Sequence, residues 1–278
     1  NRGDYAAVER LLGASTDPTS AAVRAQADID RGRYAEAERL LTPIAAANPA
    51  SEAALRLGTL LNYLGRRQDG QRVLERLIQS SPRSTGPDLR RIAEAEYALG
   101  RVQDANDTFK AANRVTPDDV AVNVAWGDMF AERFESNAAA QSYDIALAGE
   151  ADNVRALVGK ARLLADQDPP AAKKQIEAIL AINPASVQAH LLNAELALDE
   201  GRRDDAGAAI GKALQQNPRS LEAMSLDASL AMLRDRPQEF EAKAAAVLAI
   251  NPRYGEVYRL AADQASHNYR YIEAAEFA

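Results

Sequence analysis

The feature that most constrains this chain is an internal repeat with a period close to 34 residues. Asparagine–proline and similar pairs place prolines at Pro49, Pro82, Pro117, Pro184, Pro218 and Pro252. The intervals are 33, 35, 67, 34 and 34 residues, and the interval of 67 spans two periods because Ala151 stands where a proline is missing. A fixed period of this length predicts an array of similar units that stack on their neighbours and share a continuous core.

Small residues mark two positions in each period. The first set is Ala25, Gly58, Ala93, Gly127, Ala161, Ala194, Ala228 and Ala262. The second set is Ala37, Gly70, Ala105, Ala139, Ala172, Ala206 and Ala274, and between the two sets stand Gly32, Gly65, Gly100 and Gly201. Small residues let two antiparallel helices approach closely, and glycine permits a tight turn between them. Each period is therefore predicted to be a helix hairpin.

This order of small residue, turn glycine, large residue, small residue and proline resembles the tetratricopeptide repeat family. The clearest unit runs from Val187 to Pro218, with Ala194, Gly201, Ala206, Ile210 and Ala213 in family positions. The resemblance implies an all-α fold, a right-handed superhelical solenoid of antiparallel helix hairpins with about 17 helices. It also implies that the first helix of each hairpin lines the concave wall.

The period divides residues 1–278 into a single array. We expect a partial unit at 1–17, repeats at 18–50, 51–85, 86–119, 120–153, 154–186, 187–220 and 221–254, and an incomplete repeat at 255–278. Two repeats depart from the pattern. The turn glycine is missing before Pro169 and Pro170, and Phe240 stands near a position that is usually small. Proline is accepted in the first turn of a helix, so both segments are still predicted to form hairpins.

Composition narrows the classes of partner. A net charge of -7 argues against nucleic acid, whose phosphates need clustered lysine and arginine. The absence of cysteine excludes disulfides and thiolate metal sites. No apolar run reaches the length of a transmembrane helix, which argues against membrane insertion.

The sequence contains little raw material for catalysis. Its two histidines, His190 and His267, lie in different repeats, so no His-Glu-x-x-His zinc motif exists, and no glycine-rich phosphate loop follows a strand. We expect His190 to be a packing or surface residue, and Trp126 to be a core residue of a first helix. No catalytic residue, metal site or cofactor is predicted, and this segment is not expected to be an enzyme.

The groove positions of the family, projected onto the first helices, give a candidate partner-binding surface. Its residues are Asn62, Tyr63, Arg90, Glu94, Tyr97, Asp128, Glu132, Arg162, Glu195 and Asp199, extended by Arg155, Asp166, Asp263 and His267. The lysine and asparagine pairs of the family's peptide-carboxylate clamp are absent. The carboxylates favour a basic segment, and the tyrosines and asparagine suit an extended backbone. The alternative is that these side chains only solvate the wall.

These features predict a protein-protein interaction module or scaffold that binds a peptide or protein segment along its concave face. An alternative comes from a weak local similarity of residues 251–274 to bacterial repeat proteins that carry a gluzincin-type metallopeptidase domain. The chain would then be the non-catalytic repeat region of a larger bacterial enzyme. Apolar array ends also suggest self-association. The composition suggests a bacterial source, and the compartment stays open between cytoplasm and periplasm, with the periplasm favoured.

Overall fold

The computed structural model describes residues 3–13, 17–267, 269, 270, 272 and 275. Within these residues the chain contains sixteen α-helices and no β-strand, which confirms the predicted all-α class. The helices are α1 (Tyr5–Leu12), α2 (Pro18–Asp30), α3 (Tyr34–Ala47), α4 (Glu52–Tyr63), α5 (Arg67–Ser80), α6 (Gly86–Ala98), α7 (Val102–Val115), α8 (Val120–Glu132), α9 (Ser136–Gly149), α10 (Val154–Ala165), α11 (Pro169–Ile182), α12 (Val187–Asp199), α13 (Arg203–Gln216), α14 (Leu221–Leu233), α15 (Pro237–Ile250) and α16 (Glu256–His267). A seventeenth helix, expected after α16, falls mostly outside the described residues.

Two helices lie in each predicted repeat from 18–50 to 221–254, and α16 lies in the incomplete repeat at 255–278. The chain forms two compact units. The first unit comprises Asn1–Ile29 and Arg33–Pro184, and the second comprises Asp30–Gly32 and Ala185–Ala278. The division of the chain into one continuous array stays a prediction. None of the described helices has the length and apolar character of a membrane-spanning segment.

The two helices of a hairpin begin in different ways. From α4 to α14, each first helix has a capping side chain that accepts a hydrogen bond from a first-turn amide, and these caps are Ser51, Thr85, Asp119, Asn153, Ser186 and Ser220. Such a cap satisfies an amide that has no partner within the helix. Most second helices begin instead at an arginine or glutamate without a side-chain cap. The exception is α11, whose N-cap Asp168 accepts a hydrogen bond from the Ala171 amide.

The turn between the two helices needs a left-handed backbone. Gly32, Gly65, Gly100 and Gly201 have φ angles between +72° and +77°. Phe134 and Asp235 occupy the same position of their hairpins with φ angles of 59° and 58°. A side chain in this region of φ is sterically unfavourable, so these two turns form despite their sequences.

The small residues lie where the helices of a hairpin cross. Ala93 and Ala105 are fully buried between α6 and α7, and a Cβ placed on Gly70 would come within 2.8 Å of the Gly58 carbonyl oxygen. In the last repeat Ala261 of α16 is fully buried, as are Val257 and Ala265, whereas the predicted Ala262 is half-buried. The small position of that repeat is therefore one residue earlier than the period predicts.

Stacking of these hairpins builds the core of the first unit. Tyr34, Leu41, Leu57, Leu61 and Leu74 form one buried cluster between α3, α4 and α5. Further clusters form around Phe109 and around Tyr143. Consecutive first helices contact one another in the series α4, α6, α8 and α10. These contacts place the predicted groove residues of the first unit on neighbouring helices.

In the second unit the last described helix, α16, packs on the preceding first helices. α12 packs against α13, and α14 packs against α13 and α15. Ten of the thirteen residues of α14 are buried, so no face of this helix is left to solvent. α16 packs mainly along α14 and also contacts α12 and α15. Phe240 is buried in α15, and its ring packs edge-to-face with that of Tyr258 from α16, with 6.1 Å between the ring centroids.

Candidate protein-binding wall

Arg90 connects α6 to α4 in the first unit. Its Nη2 lies 2.5 Å from Oε2 of Glu52, and its Nη1 bonds Oε1 of Glu94 on the same helix. Only 12% of the Arg90 side chain is exposed. Burial lowers the pKa of Arg90, but the two carboxylates outweigh that effect, and the pKa lies above its ordinary value. The guanidinium is therefore held charged and in a fixed place.

Glu52 extends the contact towards α2. Its Oε1 lies 3.4 Å from Nε of Arg56, one turn later on α4. Arg56 then donates hydrogen bonds to the Ala22 carbonyl oxygen at 3.3 Å and to Gln26 Oε1 at 2.9 Å. A continuous series of polar contacts thus runs across α2, α4 and α6.

A second group of side chains joins α8, α9 and α10 around Asp128. Oδ2 of Asp128 lies 2.5 Å from Nε of Arg155, and Oδ1 accepts a hydrogen bond of 2.7 Å from the Tyr143 hydroxyl. Burial, followed by the nearby Asp128 charge, raises the pKa of Tyr143, so the phenol stays a donor. The side chain of Arg155 is 58% exposed. Desolvation lowers the pKa of Arg155, but the charges of Asp128 and Glu94 outweigh this effect and raise the pKa above its ordinary value.

Tyr97 connects α6 to α8 between these two groups. Its hydroxyl donates a 2.6 Å hydrogen bond to Oε2 of Glu132. Burial, and then the carboxylate, raise the pKa of Tyr97, so the hydroxyl keeps its proton. Glu132 is exposed and meets a neutral phenol at this position, whereas Asp128 meets a guanidinium. We call the set Glu52, Arg90, Glu94, Tyr97, Asp128, Glu132 and Arg155 the first-helix wall.

The structure thus brings together five predicted groove residues with Arg155. They are Arg90, Glu94, Tyr97, Asp128 and Glu132. Arg162 and Asp166 are exposed on and after α10. Glu52 and Tyr143 were missed by sequence reasoning. A signal for Glu52 exists, since it stands one helical turn before Arg56 and an acid and a base at that spacing attract.

Asn62 and Tyr63 occupy different surroundings from those expected for groove residues. Asn62 Nδ2 donates to the Ala98 carbonyl oxygen at 3.3 Å, and its amide fills the space next to Gly70. Tyr63 is half-buried, and its ring centroid lies 5.5 Å from that of Tyr34 of α3 in an edge-to-face arrangement. Both side chains fasten α4 to neighbouring helices, which explains their residue types without a ligand.

In the second unit, Glu195 is half-buried on α12 and Asp199 is exposed at its end. Asp199 Oδ1 lies 4.0 Å from Nδ1 of His267, at the end of α16. Asp263 pairs with Arg259 on its own helix. The structure therefore brings Asp199 and His267 together.

Trp126 and His190 lie among other side chains of the protein, as expected for packing residues. Trp126 is half-buried, with its ring stacked on that of Phe109 at a centroid distance of 6.3 Å and tilted against that of Phe130 at 5.1 Å. Its Nε1 donates a hydrogen bond of 3.1 Å to Asn106 Oδ1. His190 is buried in α12. Across the part of the chain that the structure describes, no group of three or more histidine, aspartate or glutamate side chains could hold a metal ion.

The aromatic side chain of Phe134 stands apart from the core. Phe134, at the turn after α8, is 93% exposed. The sequence signal for it is the absence of glycine where the period places a turn. Its backbone φ of 59° adds conformational cost to an exposed apolar ring.

Comparison with known proteins supports the repeat reading. Residues 162–220 match the family model described as tetratricopeptide repeat. A search of curated protein sequences finds no match. The matched segment begins near the end of α10 and covers all of α11, α12 and α13.

Solved structures match over much more of the chain. A tetratricopeptide repeat protein from Parabacteroides merdae is 16% identical, with a TM-score of 0.61, over 88% of this chain and 97% of that one. A thermophilic repeat protein from Thermus thermophilus is 21% identical, with a TM-score of 0.55, over 65% and 98%. The Cut9–Hcn1 structure of the APC/C matches with a TM-score of 0.70 and 11% identity, over 97% and 56%.

At these identities the structures report on the fold alone, and none of the three is described as a metallopeptidase. The metallopeptidase alternative therefore stays a prediction, which the gene sequence beyond residue 278 would test. The helix hairpins, their small crossing residues and the matched segment all agree. This chain is a repeat protein with the tetratricopeptide-type fold, and its residues 162–220 carry the sequence pattern of that family.

Proposed function

We propose that the first unit is a protein-protein interaction module that binds an extended peptide or protein segment along the first-helix wall. One observation carries the proposal. Charged and aromatic side chains of α4, α6, α8 and α10 pair with one another from helix to helix, and yet Arg155 remains 58% exposed. Side chains held in place by neighbours lose little conformational freedom when a partner binds.

The wall favours a partner with basic side chains. Asp128 and Glu52 already meet guanidinium groups, whereas the exposed carboxylate of Glu132 meets the Tyr97 hydroxyl. A lysine or arginine of the partner would supply the opposite charge at Glu132. Electrostatic complementarity of this kind contributes mainly to specificity and to the association rate.

A selection experiment tests the proposal. A library of extended random peptides would be selected for binding to the intact chain, and the dissociation constants of the selected peptides would be measured by fluorescence polarisation. We expect lysine- and arginine-rich peptides, with an affinity that falls as salt is added. Charge reversal in Glu132→Lys should weaken their binding by about ten-fold.

The matched control is Glu177→Lys, which makes the same charge change at an exposed residue of α11, the second helix of its hairpin. This variant should bind the selected peptides as the parent does. Equal weakening in both variants, or selection of acidic peptides, would contradict the proposed wall. Circular dichroism of both variants checks that neither has unfolded.

Self-association through the ends of the array is a separate prediction. Light scattering over a concentration series tests it directly. A mass that rises with concentration would support association, and a constant monomer mass would exclude it.

A further inference from the structure

The position of α16 departs from a regular array. α12, α14 and α16 are the first helices of three successive repeats, and packed helix axes lie about 8–10 Å apart. Helices two repeats apart would then be separated by about 16–20 Å. Instead α16 contacts α12 directly, and His267 Nδ1 lies 4.0 Å from Asp199 Oδ1.

The face of α14 that corresponds to the first-helix wall is closed. Ser225 and Ser229 stand at the repeat positions that Arg90 and Glu94 occupy in α6, and both serines are fully buried. Each serine hydroxyl is satisfied within α14: Ser225 donates to the Leu221 carbonyl oxygen at 2.7 Å, and Ser229 donates to that of Ser225 at 3.0 Å. The side chains on this face are therefore small, and their hydroxyl groups already have hydrogen-bond partners. Both properties allow another helix to approach closely.

α16 has the complementary character. Its buried residues are Val257, Ala261, Gln264 and Ala265, which lie on one side of the helix. Three charged residues lie outside this face, where Arg259 pairs with both Glu256 and Asp263. α16 is thus an amphipathic helix with a small-residue face.

Polar contacts after α16 fix its end. Arg270 Nη1 donates to the Met232 carbonyl oxygen at 2.9 Å, and Nη2 lies 2.9 Å from Oδ1 of Asp235. Asp235 is 79% exposed, so water competes for this ion pair. The fully buried apolar residues of α16 are Val257 and two alanines, and its larger apolar side chains Tyr258 and Leu260 are only half-buried, so the apolar area that holds the helix is modest.

We propose that α16 is an internal ligand of the second unit. It occupies the face of α12 and α14 that would otherwise bind a partner, and the partner that fits this face is an amphipathic helix which displaces α16. Such a helix carries small apolar residues at a spacing of four, as Val257, Ala261 and Ala265 do, and a basic residue near Asp235. This proposal concerns the second unit and does not rest on the first-helix wall.

The first test uses a labelled synthetic peptide of residues 254–270 as the probe, and the full chain as the receptor. Ala265→Glu places a charge in the buried face of α16 and should release it, so that the peptide binds at least about ten-fold more tightly than to the parent. Ser266→Glu is the matched control, because it adds the same charge at the adjacent exposed residue. Equal peptide affinity in two folded variants would overturn the proposal.

The second test does not depend on the stability of the Ala265→Glu variant. The chain contains no cysteine, so Asp199→Cys with His267→Cys gives a unique pair at two exposed sites. Spin labels on this pair should report a short distance that lengthens when excess peptide is added. A short bismaleimide cross-link between the two cysteines should abolish peptide binding.

Each outcome of the second test decides the matter. A lengthened distance and loss of binding on cross-linking support displacement. Equal peptide affinity before and after cross-linking would overturn it, as would a spin-label distance that excess peptide leaves unchanged. If Ala265→Glu loses cooperative unfolding as well, α16 is an integral part of the core rather than an exchangeable ligand.

Discussion

Arg90 of α6 reaches Glu52 of α4 across the boundary between two consecutive repeats, with 2.5 Å between Nη2 and Oε2. The side chain of Arg90 is 12% exposed and that of Glu52 is 34% exposed. An ion pair in such surroundings is shielded from water on one side. Its loss should therefore be measurable, unlike the loss of most surface pairs.

Glu52→Gln should lower the free energy of unfolding by about 1–2 kcal/mol, less than for a fully buried pair because Glu52 is partly exposed. The cause is that Arg90 keeps its charge but retains only Glu94 as a carboxylate partner. Urea unfolding at neutral pH measures the change. Arg72→Gln removes a pair from an arginine that is 78% exposed and should leave stability unchanged. A similar loss in both variants would show that the position of Arg90 has no special role.

The pair of Glu52 and Arg90 also predicts that the stability of the fold depends on pH. Burial raises the pKa of Glu52, but Arg90 and Arg56 outweigh it and hold the pKa below its ordinary value of 4.5. A carboxyl with a depressed pKa in the folded state stabilises the fold above its unfolded pKa, and this contribution is lost as the pH falls through the folded value. The stability difference between the parent and Glu52→Gln should therefore shrink between about pH 5 and pH 3. Urea unfolding at several pH values measures it, and a constant difference would contradict the assignment.

The packing of Tyr143 predicts that alanine at the neighbouring Gly159 will destabilise the fold. Its ring is buried against α8 and α10, and a Cβ on Gly159 would overlap the ring. Glycine to alanine in a helix normally stabilises by up to about 1 kcal/mol. Gly159→Ala should instead destabilise by about 1–2 kcal/mol, because the ring must move and its hydrogen bond to Asp128 must lengthen.

Gly211→Ala is the control for this prediction, since a Cβ on this helical glycine of α13 would meet no atom within 4 Å. It should show the ordinary gain. Thermal unfolding followed by circular dichroism compares the two variants with the parent. If Gly159→Ala also gains stability, the packing around Tyr143 is looser than the structure indicates.

Replacing Phe134 by glycine should stabilise the fold. Its φ angle is 59° and its side chain is 93% exposed, so the ring gains little from packing while the backbone bears the left-handed cost. Phe134→Gly should raise the free energy of unfolding by about 1 kcal/mol. Phe134→Ala, which keeps the steric cost, should stay close to the parent. Urea unfolding distinguishes them, and an alanine variant as stable as the glycine variant would refute the explanation.

The repeat was predictable from the sequence because crossing positions tolerate only small residues. Ala93 and Ala105 lie where the period predicts and are fully buried. All residues of the first-helix wall except Glu52 were named from the sequence, but their pairing could not be predicted. Sequence spacing places Arg155 and Asp128 on neighbouring helices, whereas the 2.5 Å contact depends on how those helices pack.

The last repeat could not be predicted from the period. Periodicity assigns α16 to the next position of the array, but its packing is decided by what lies opposite its buried face. Ser225 and Ser229 are fully buried in α14, and Ala261 and Ala265 are fully buried in α16, but which faces of the two helices pack together is known only once both helices are placed. The contact of Tyr63 with Tyr34 of α3 likewise depends on how the helices pack and cannot be read from the period.

The close fit of Tyr143 between Gly127 and Gly159 has a consequence for how such a chain can be rebuilt. The three residues come from α8, α9 and α10 and so belong to two different repeats. Swapping the repeat at 120–153 for any other copy would leave Gly159 opposite a smaller or differently shaped side chain. The interchangeable module at this place is therefore not the 34-residue period but a segment that crosses its boundary, and recombination of repeats should be tolerated only when α8, α9 and α10 are moved together.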